Sequence, residues 1–123
     1  MVFLKSKFPL DSEGDLISLE KDRLLYRFLE AGKVFHSLSH QRGFLAEIIS
    51  PKDGTPQYSK KGELTFDLVA IVHESIGFDF SRTEEGCKVL KHPEWGAGIY
   101  PGLFASEAPA ASVRSILSEI VWG

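Results

Sequence analysis

The chain predicts an α+β fold: a small, mainly antiparallel sheet packed against about three helices. Three observations predict it. Leu24, Phe28, Ala31, Phe35 and Leu38 recur at steps of four and three, the period of one helical face. Several short apolar runs are bounded by Pro and Gly, which favours short strands joined by reversals over parallel crossovers. A second helical stripe, Val113, Ile116, Leu117, Ile120 and Val121, follows Pro109, a residue that the first turn of a helix accepts.

Residues 1–15 read as an N-terminal strand or arm, with loose alternation from Val2 to Phe8 and a stop at Pro9. The long helix runs from about Ser18, a plausible N-cap, to His40, with Gly43 as its stop. Leu25 and Leu29 widen its apolar stripe, and Gly32 weakens it by about 1 kcal/mol relative to alanine. Phe44–Ile49 is a strand ended by Pro51, and the PKDGTP segment at 51–56 is a turn. Leu64–Ile76 fits a buried helix better than a strand, because it exceeds ten residues and ends at Ile76-Gly77. A short strand is expected at Phe78-Phe80, then strands at Gly86–His92 and Ala97–Ala105, the last broken or bent at Pro101-Gly102.

With 123 residues the chain forms one domain, large enough to bury a core without disulfides or metal. A net charge of -3 provides no basic footprint for nucleic acid. No window has the apolar length of a membrane span, and the start is too weakly apolar for a signal peptide. One cysteine, Cys87, suits a reducing compartment. A cytoplasmic protein is therefore expected, with no nucleic-acid or membrane partner.

Chemistry-bearing residues concentrate in Gly86–Gly96, GCKVLKHPEWG. A thiol, an imidazole and an indole close in sequence suit a soft metal, a flat cofactor or a protein partner, and equally a core and a turn. His36 and His40 share a helix face at i, i+4, with no third ligand at a recognisable spacing. His73 reads as an interior histidine. No nucleophile elbow, phosphate-cradling loop or paired general acid and base is present.

Taken in order, residues 34–117 resemble the C-terminal domain of the methylmalonic aciduria and homocystinuria type D family of cobalamin trafficking factors. The resemblance rests on Gly43-Phe44 with Ala46-Glu47, Ser50–Gly54, Gly77-Phe78, Cys87–Val89 with His92, Trp95-Gly96, the run Ile99–Ser106, and Ala108-Pro109. It implies an α+β fold like that of flavin-dependent nitroreductases, here in reduced form, and a non-catalytic adaptor that docks on a cobalamin-processing partner. Relatives carry a thiol proposed to ligate cobalt, in a Gly-Cys-Cys run before a Lys-Val pair. This chain has one cysteine there: Cys87 matches the cysteine beside the lysine, and the ligating position corresponds to Gly86.

The resemblance implies a cobalamin or partner region at Cys87, His92 and Trp95, with no catalytic residue and Cys87 as the sole candidate cobalt ligand. No cofactor is expected to bind tightly; cobalamin is expected only through a partner that already holds it. The broad apolar stripe makes Leu25, Phe28 and Leu29 candidates for protein contact, in a homodimer or a heteromer. The alternatives are a small flavin-dependent reductase and a self-associating regulatory or structural protein.

Overall fold

The computed structural model describes residues 1–11, 14–59, 65–84 and 86–121. Its elements are β1 (Val2–Lys5), α1 (Asp15–Gln41), β2 (Ala46–Ile49), α2 (Leu68–Ile76), β3 (Asp79–Arg82), β4 (Lys88–Lys91), β5 (Ile99–Ser106) and α3 (Ala110–Ser118). Among the described residues, three helices and small antiparallel sheets make this an α+β fold, as the periodicities predict. The expected helix over Leu64–Ile76 is α2 from Leu68 onward, with Gly77 as its left-handed C-cap at φ 86°; position 64 lies outside the described residues.

Of the segments that their Pro and Gly bounds predict to pair, Phe44–Ile49 and Ala97–Ala105 do so, as β2 with β5, and Cys87–Lys91 does not join them. The strands form two sheets, one in the order β1-β5-β2 and one of β3 with β4. All pairs are antiparallel: Leu4 lies opposite Tyr100, Ile48 opposite Phe104, and Phe80 opposite Leu90. Thus β4 joins β3 rather than the strand that follows it. Nor does Pro101-Gly102 break β5. Only β1 flanks residues 99–102, while β2 begins its pairing at Leu103, so one side of that half of β5 has no ladder for Pro101 to interrupt. Gly102 supplies a socket: a Cβ there would meet the Phe28 ring at 2.1 Å. Gly32 does the same on α1, where a Cβ would lie 2.9 Å from Ile48 Cγ2. The helix-weakening glycine is what lets α1 approach β2.

The core lies between α1, the three-stranded sheet and α3. Leu24, Phe28, Ala31 and Phe35 face Ile48 and Ile116 within it. Phe104 packs against both Phe28 and Phe35, with centroids 5.1 and 4.9 Å away. A smaller cluster of Val72, Leu90 and Ile99 joins α2 to the second sheet. Val121 departs from the expected α3 stripe and is exposed, whereas Ile120 is buried. His73, expected inside, is also exposed and bonds through Nδ1 to the Phe78 carbonyl at 2.8 Å.

Candidate ligand cleft

A cleft of about 670 Å³ opens between α1, the turn at 51–54, the start of α2, β4 and the start of β5. That volume lies in the roughly 300–1,000 Å³ range of small-molecule sites. Its apolar floor includes Leu10, Leu25, Leu68 and Ile99; Lys21, Asp22, Lys52, Asp53, Arg82 and Lys88 also line it.

Each wall is held by identifiable bonds. The N-terminal arm, which brings in Leu10, is tied to the strand approach by Ser6 N–H donating to the Gly98 carbonyl (2.8 Å) and Leu10 N–H to that of Ala97 (3.0 Å). The buried Glu20 carboxylate fastens the arm to α1. It accepts from Lys7 N–H at 2.5 Å, Ser6 Oγ at 3.2 Å and Arg23 Nε at 2.5 Å. The Arg23 hydrogen bond, together with those from the arm, outweighs burial and lowers the Glu20 pKa to about 2.

The turn at 51–54 is fixed by Gly54, whose N–H donates to the Ser50 carbonyl at 2.8 Å and whose φ is 69°. Beyond it, the Glu47 carboxylate gathers N–H donors from Ile48, Gln57, Tyr58 and Ser59. Burial opposes ionisation of Glu47, but a hydrogen bond from the Ser59 hydroxyl, followed by those from the Tyr58, Ile48 and Gln57 N–H groups, holds its pKa below the ordinary value.

Asp67 caps α2 by accepting from Ala70 N–H at 3.0 Å, and its other oxygen accepts from Lys88 Nζ at 2.6 Å. The Lys88 bond, then the cap bond, lower its pKa. The half-buried Tyr100 phenol is pushed up to about 12, mainly by burial and then by the charges of Asp22 and Asp53. The Tyr100 hydroxyl therefore stays protonated at neutral pH.

Cys87 stands on this wall with its side chain exposed. The backbone places it. Thr83 N–H donates to the Cys87 carbonyl at 2.9 Å, Cys87 N–H donates to Thr83 Oγ1 at 3.2 Å, and Gly86 turns the hairpin at φ 85°. The turn thus needs a residue tolerant of positive φ at 86. Arg82 approaches the same turn, with Nη1 3.4 Å from the Gly86 carbonyl.

His92 and Trp95 lie at the opposite end of β4, roughly 15 Å of extended chain from Cys87. They form a tight turn in which His92 and Gly96 exchange backbone bonds of 2.7 and 2.9 Å. His92 Nδ1 accepts from Glu94 N–H at 3.0 Å and Trp95 N–H at 3.1 Å, so that nitrogen carries no proton. The imidazole stacks on Trp95 at 4.4 Å and meets the edge of Phe78 at 5.2 Å. Trp95 packs on the small cluster that contains Val72 of α2.

The expected site residues therefore separate. Cys87 and Leu25 share the cleft; His92 and Trp95 form a structural turn. Phe28 is fully enclosed and Leu29 packs on the core, so neither is the outward contact expected of them. Sequence reasoning missed Glu20 and Asp67. Two signals were available: Glu20 lies four residues before Leu24 on the apolar stripe, and Asp67 immediately precedes the LVAIV run. Elsewhere, His36 stacks on Tyr58 at 3.8 Å and shares a shallow depression with His40. Among the described residues, no group of three or more metal-ligating side chains is assembled, and no helix is long and apolar enough to cross a membrane.

No protein-family model matches the chain, and no curated protein matches it.

Proposed function

We propose that the chain is a non-catalytic binding module related to cobalamin trafficking factors, which acts through protein contacts and presents Cys87 to a corrinoid held by a partner. One observation carries this reading: the exposed thiol lies on the wall of a cleft that also holds Arg82 and Lys88. A thiolate is the softest ligand that the chain offers to cobalt.

The fit to cobalamin is one-sided. A complete corrinoid with its nucleotide loop is larger than a cleft of about 670 Å³, so this chain can cover only one face of the macrocycle. The other face then belongs to a partner, which supports an adaptor over a carrier. Cobalamin, when bound, would supply the cobalt centre; the chain supplies a soft donor at Cys87, an apolar floor and a charged rim. His92 takes no part, because Nδ1 is engaged in its own turn.

The test is a visible spectrum. Free cobalamin mixed with the purified chain is expected to show no shift. Cobalamin loaded on a cobalamin-processing protein is expected to shift when the chain is added, and Cys87→Ser is expected to abolish the shift. A shift that persists in Cys87→Ser would remove the thiol from the proposal. Purified protein that is yellow, with flavin absorbance, would replace it with the reductase reading.

A further inference from the structure

α1 has three faces, and the core and the cleft use only two. At 100° per residue, Leu24, Phe28, Ala31 and Phe35 point to the core, while Ser18, Lys21 and Leu25 point to the cleft. The third face carries Leu16, Leu19, Arg23, Tyr26, Glu30 and Val34 within an arc of about 80°. Its spacing of 3, 4, 3, 4 and 4 is that of a helix-packing seam. Leu16, Leu19 and Tyr26 are 66%, 64% and 67% exposed, and Val34 is 41% exposed. A seam this regular and this exposed, on a helix of 27 residues, suits another helix better than it suits water.

We infer that a second copy of this chain docks antiparallel on the outer face of α1, crossing near Tyr26, so that Arg23 of each copy faces the partner's Glu30. Charge selects both the occupant and its direction. The seam holds one cation and one anion, placed nearly symmetrically about Tyr26. An antiparallel copy pairs them twice, through its own twofold symmetry, and sets Leu19 against Val34. A parallel copy would set Arg23 against Arg23 and Glu30 against Glu30, which repel. Arg23 is already oriented by its bonds to Glu20, so less side-chain freedom is lost on pairing. The seam lies on a different face from the cleft floor, so the dimer leaves Cys87 accessible. The inference does not depend on the cobalamin reading.

Sedimentation of the full chain tests it. At about 100 μM, high enough to populate a dimer of micromolar affinity, the expected mass approaches twice the 13.7 kDa of one chain. Leu19→Glu with Tyr26→Glu is expected to weaken association at least about 100-fold, and Glu30→Lys about tenfold. Both variants should keep the wild-type circular dichroism, because these side chains point outward. Direction is read by cross-linking in a Cys87→Ser background with a short bismaleimide. Chains carrying Leu19→Cys should cross-link to chains carrying Val34→Cys in a mixture, and neither should cross-link alone. A mass of one chain at every concentration, an association that Leu19→Glu with Tyr26→Glu leaves intact, or cross-linking of Leu19→Cys chains to each other would each overturn the inference.

Discussion

The two ends of β4 hold the side chains most capable of chemistry, and the fold treats them in opposite ways. At the far end, His92 is bonded through Nδ1 to two backbone donors and packed between Trp95 and Phe78. At the near end, Cys87 is held through its backbone, is exposed and lines the cleft. The four strand residues between them carry different loads: Val89 serves the main core and Leu90 the smaller cluster. A thiol and an imidazole five residues apart look like one site in the sequence. An extended strand makes them two, because each residue adds about 3.3 Å instead of folding back. Stability should concentrate at one end and reactivity at the other.

Trp95→Ala should break the contrast most visibly. Trp95 closes the small cluster and supports the stacked His92, though it is only half-buried. The expected loss is about 2–4 kcal/mol, below the roughly 3–5 kcal/mol of a fully buried large aromatic because Trp95 is half-buried, read from the urea midpoint. An unchanged midpoint with lost partner binding would show instead that Trp95 is a docking residue, and the two ends of β4 would then share a functional role.

Acid should act on the cleft side through Glu20. Its pKa is about 2 in the fold against an ordinary 4.5, so the folded state binds fewer protons than the unfolded chain between those values. The stabilisation is fully present above about pH 4.5 and is lost as pH falls toward 2. It amounts to on the order of 3 kcal/mol. Glu20→Gln should lose most of that at neutral pH and show a flatter stability profile between pH 5 and 2 (approximate bounds of the Glu titration). Because Glu20 ties the arm that carries Leu10, the variant should also loosen that wall of the cleft. Parallel profiles for the two proteins would show that Arg23 and the arm do not stabilise the carboxylate.

His92→Ala should cost about 1–2 kcal/mol, for two backbone donors left to water and a lost stack. His92→Asn keeps a side-chain acceptor at the head of the turn and should recover part of the loss. If Asn recovers nothing, the ring stack rather than the acceptor holds the turn.

Much of this layout is visible in local pattern. The stripe through Leu24, Phe28, Ala31 and Phe35 identifies α1 and its core face because helical spacing is a property of neighbouring residues. The helix begins at Asp15 rather than Ser18, since Gly14 precedes it with no side-chain cap to mark the start. Apolar residues also occur on more than one face of α1, and periodicity alone does not say which face meets the sheet. Leu25 and Leu29 therefore read as surplus surface, while the exposed residues are Leu16, Leu19 and Tyr26. Strand partnership is a long-range property, so the pairing of β4 with β3 and of β1 with β5 was not legible. Cys87 was identifiable as the lone thiol, but its exposure depends on a hairpin closed by Thr83 and Gly86. The resemblance to a Gly-Cys-Cys run set Gly86 in the ligating position; the fold uses that glycine for its positive φ.

The smallest expected change in stability belongs to Cys87→Ser. An exposed side chain with no packing duty should alter the urea midpoint by less than about 0.5 kcal/mol. Its thiol should nevertheless react with a disulfide reagent in the native state at a rate within about tenfold of the unfolded chain, since access rather than global unfolding limits the reaction. Trp95→Ala should leave that rate nearly unchanged, because the indole lies at the far end of β4. These outcomes together would separate a reactive end from a structural one. A native thiol that reacts only after unfolding would place Cys87 among the packed residues, where burial keeps a thiol protonated and a poor ligand for cobalt, and would end the proposal that this wall of the cleft meets a corrinoid.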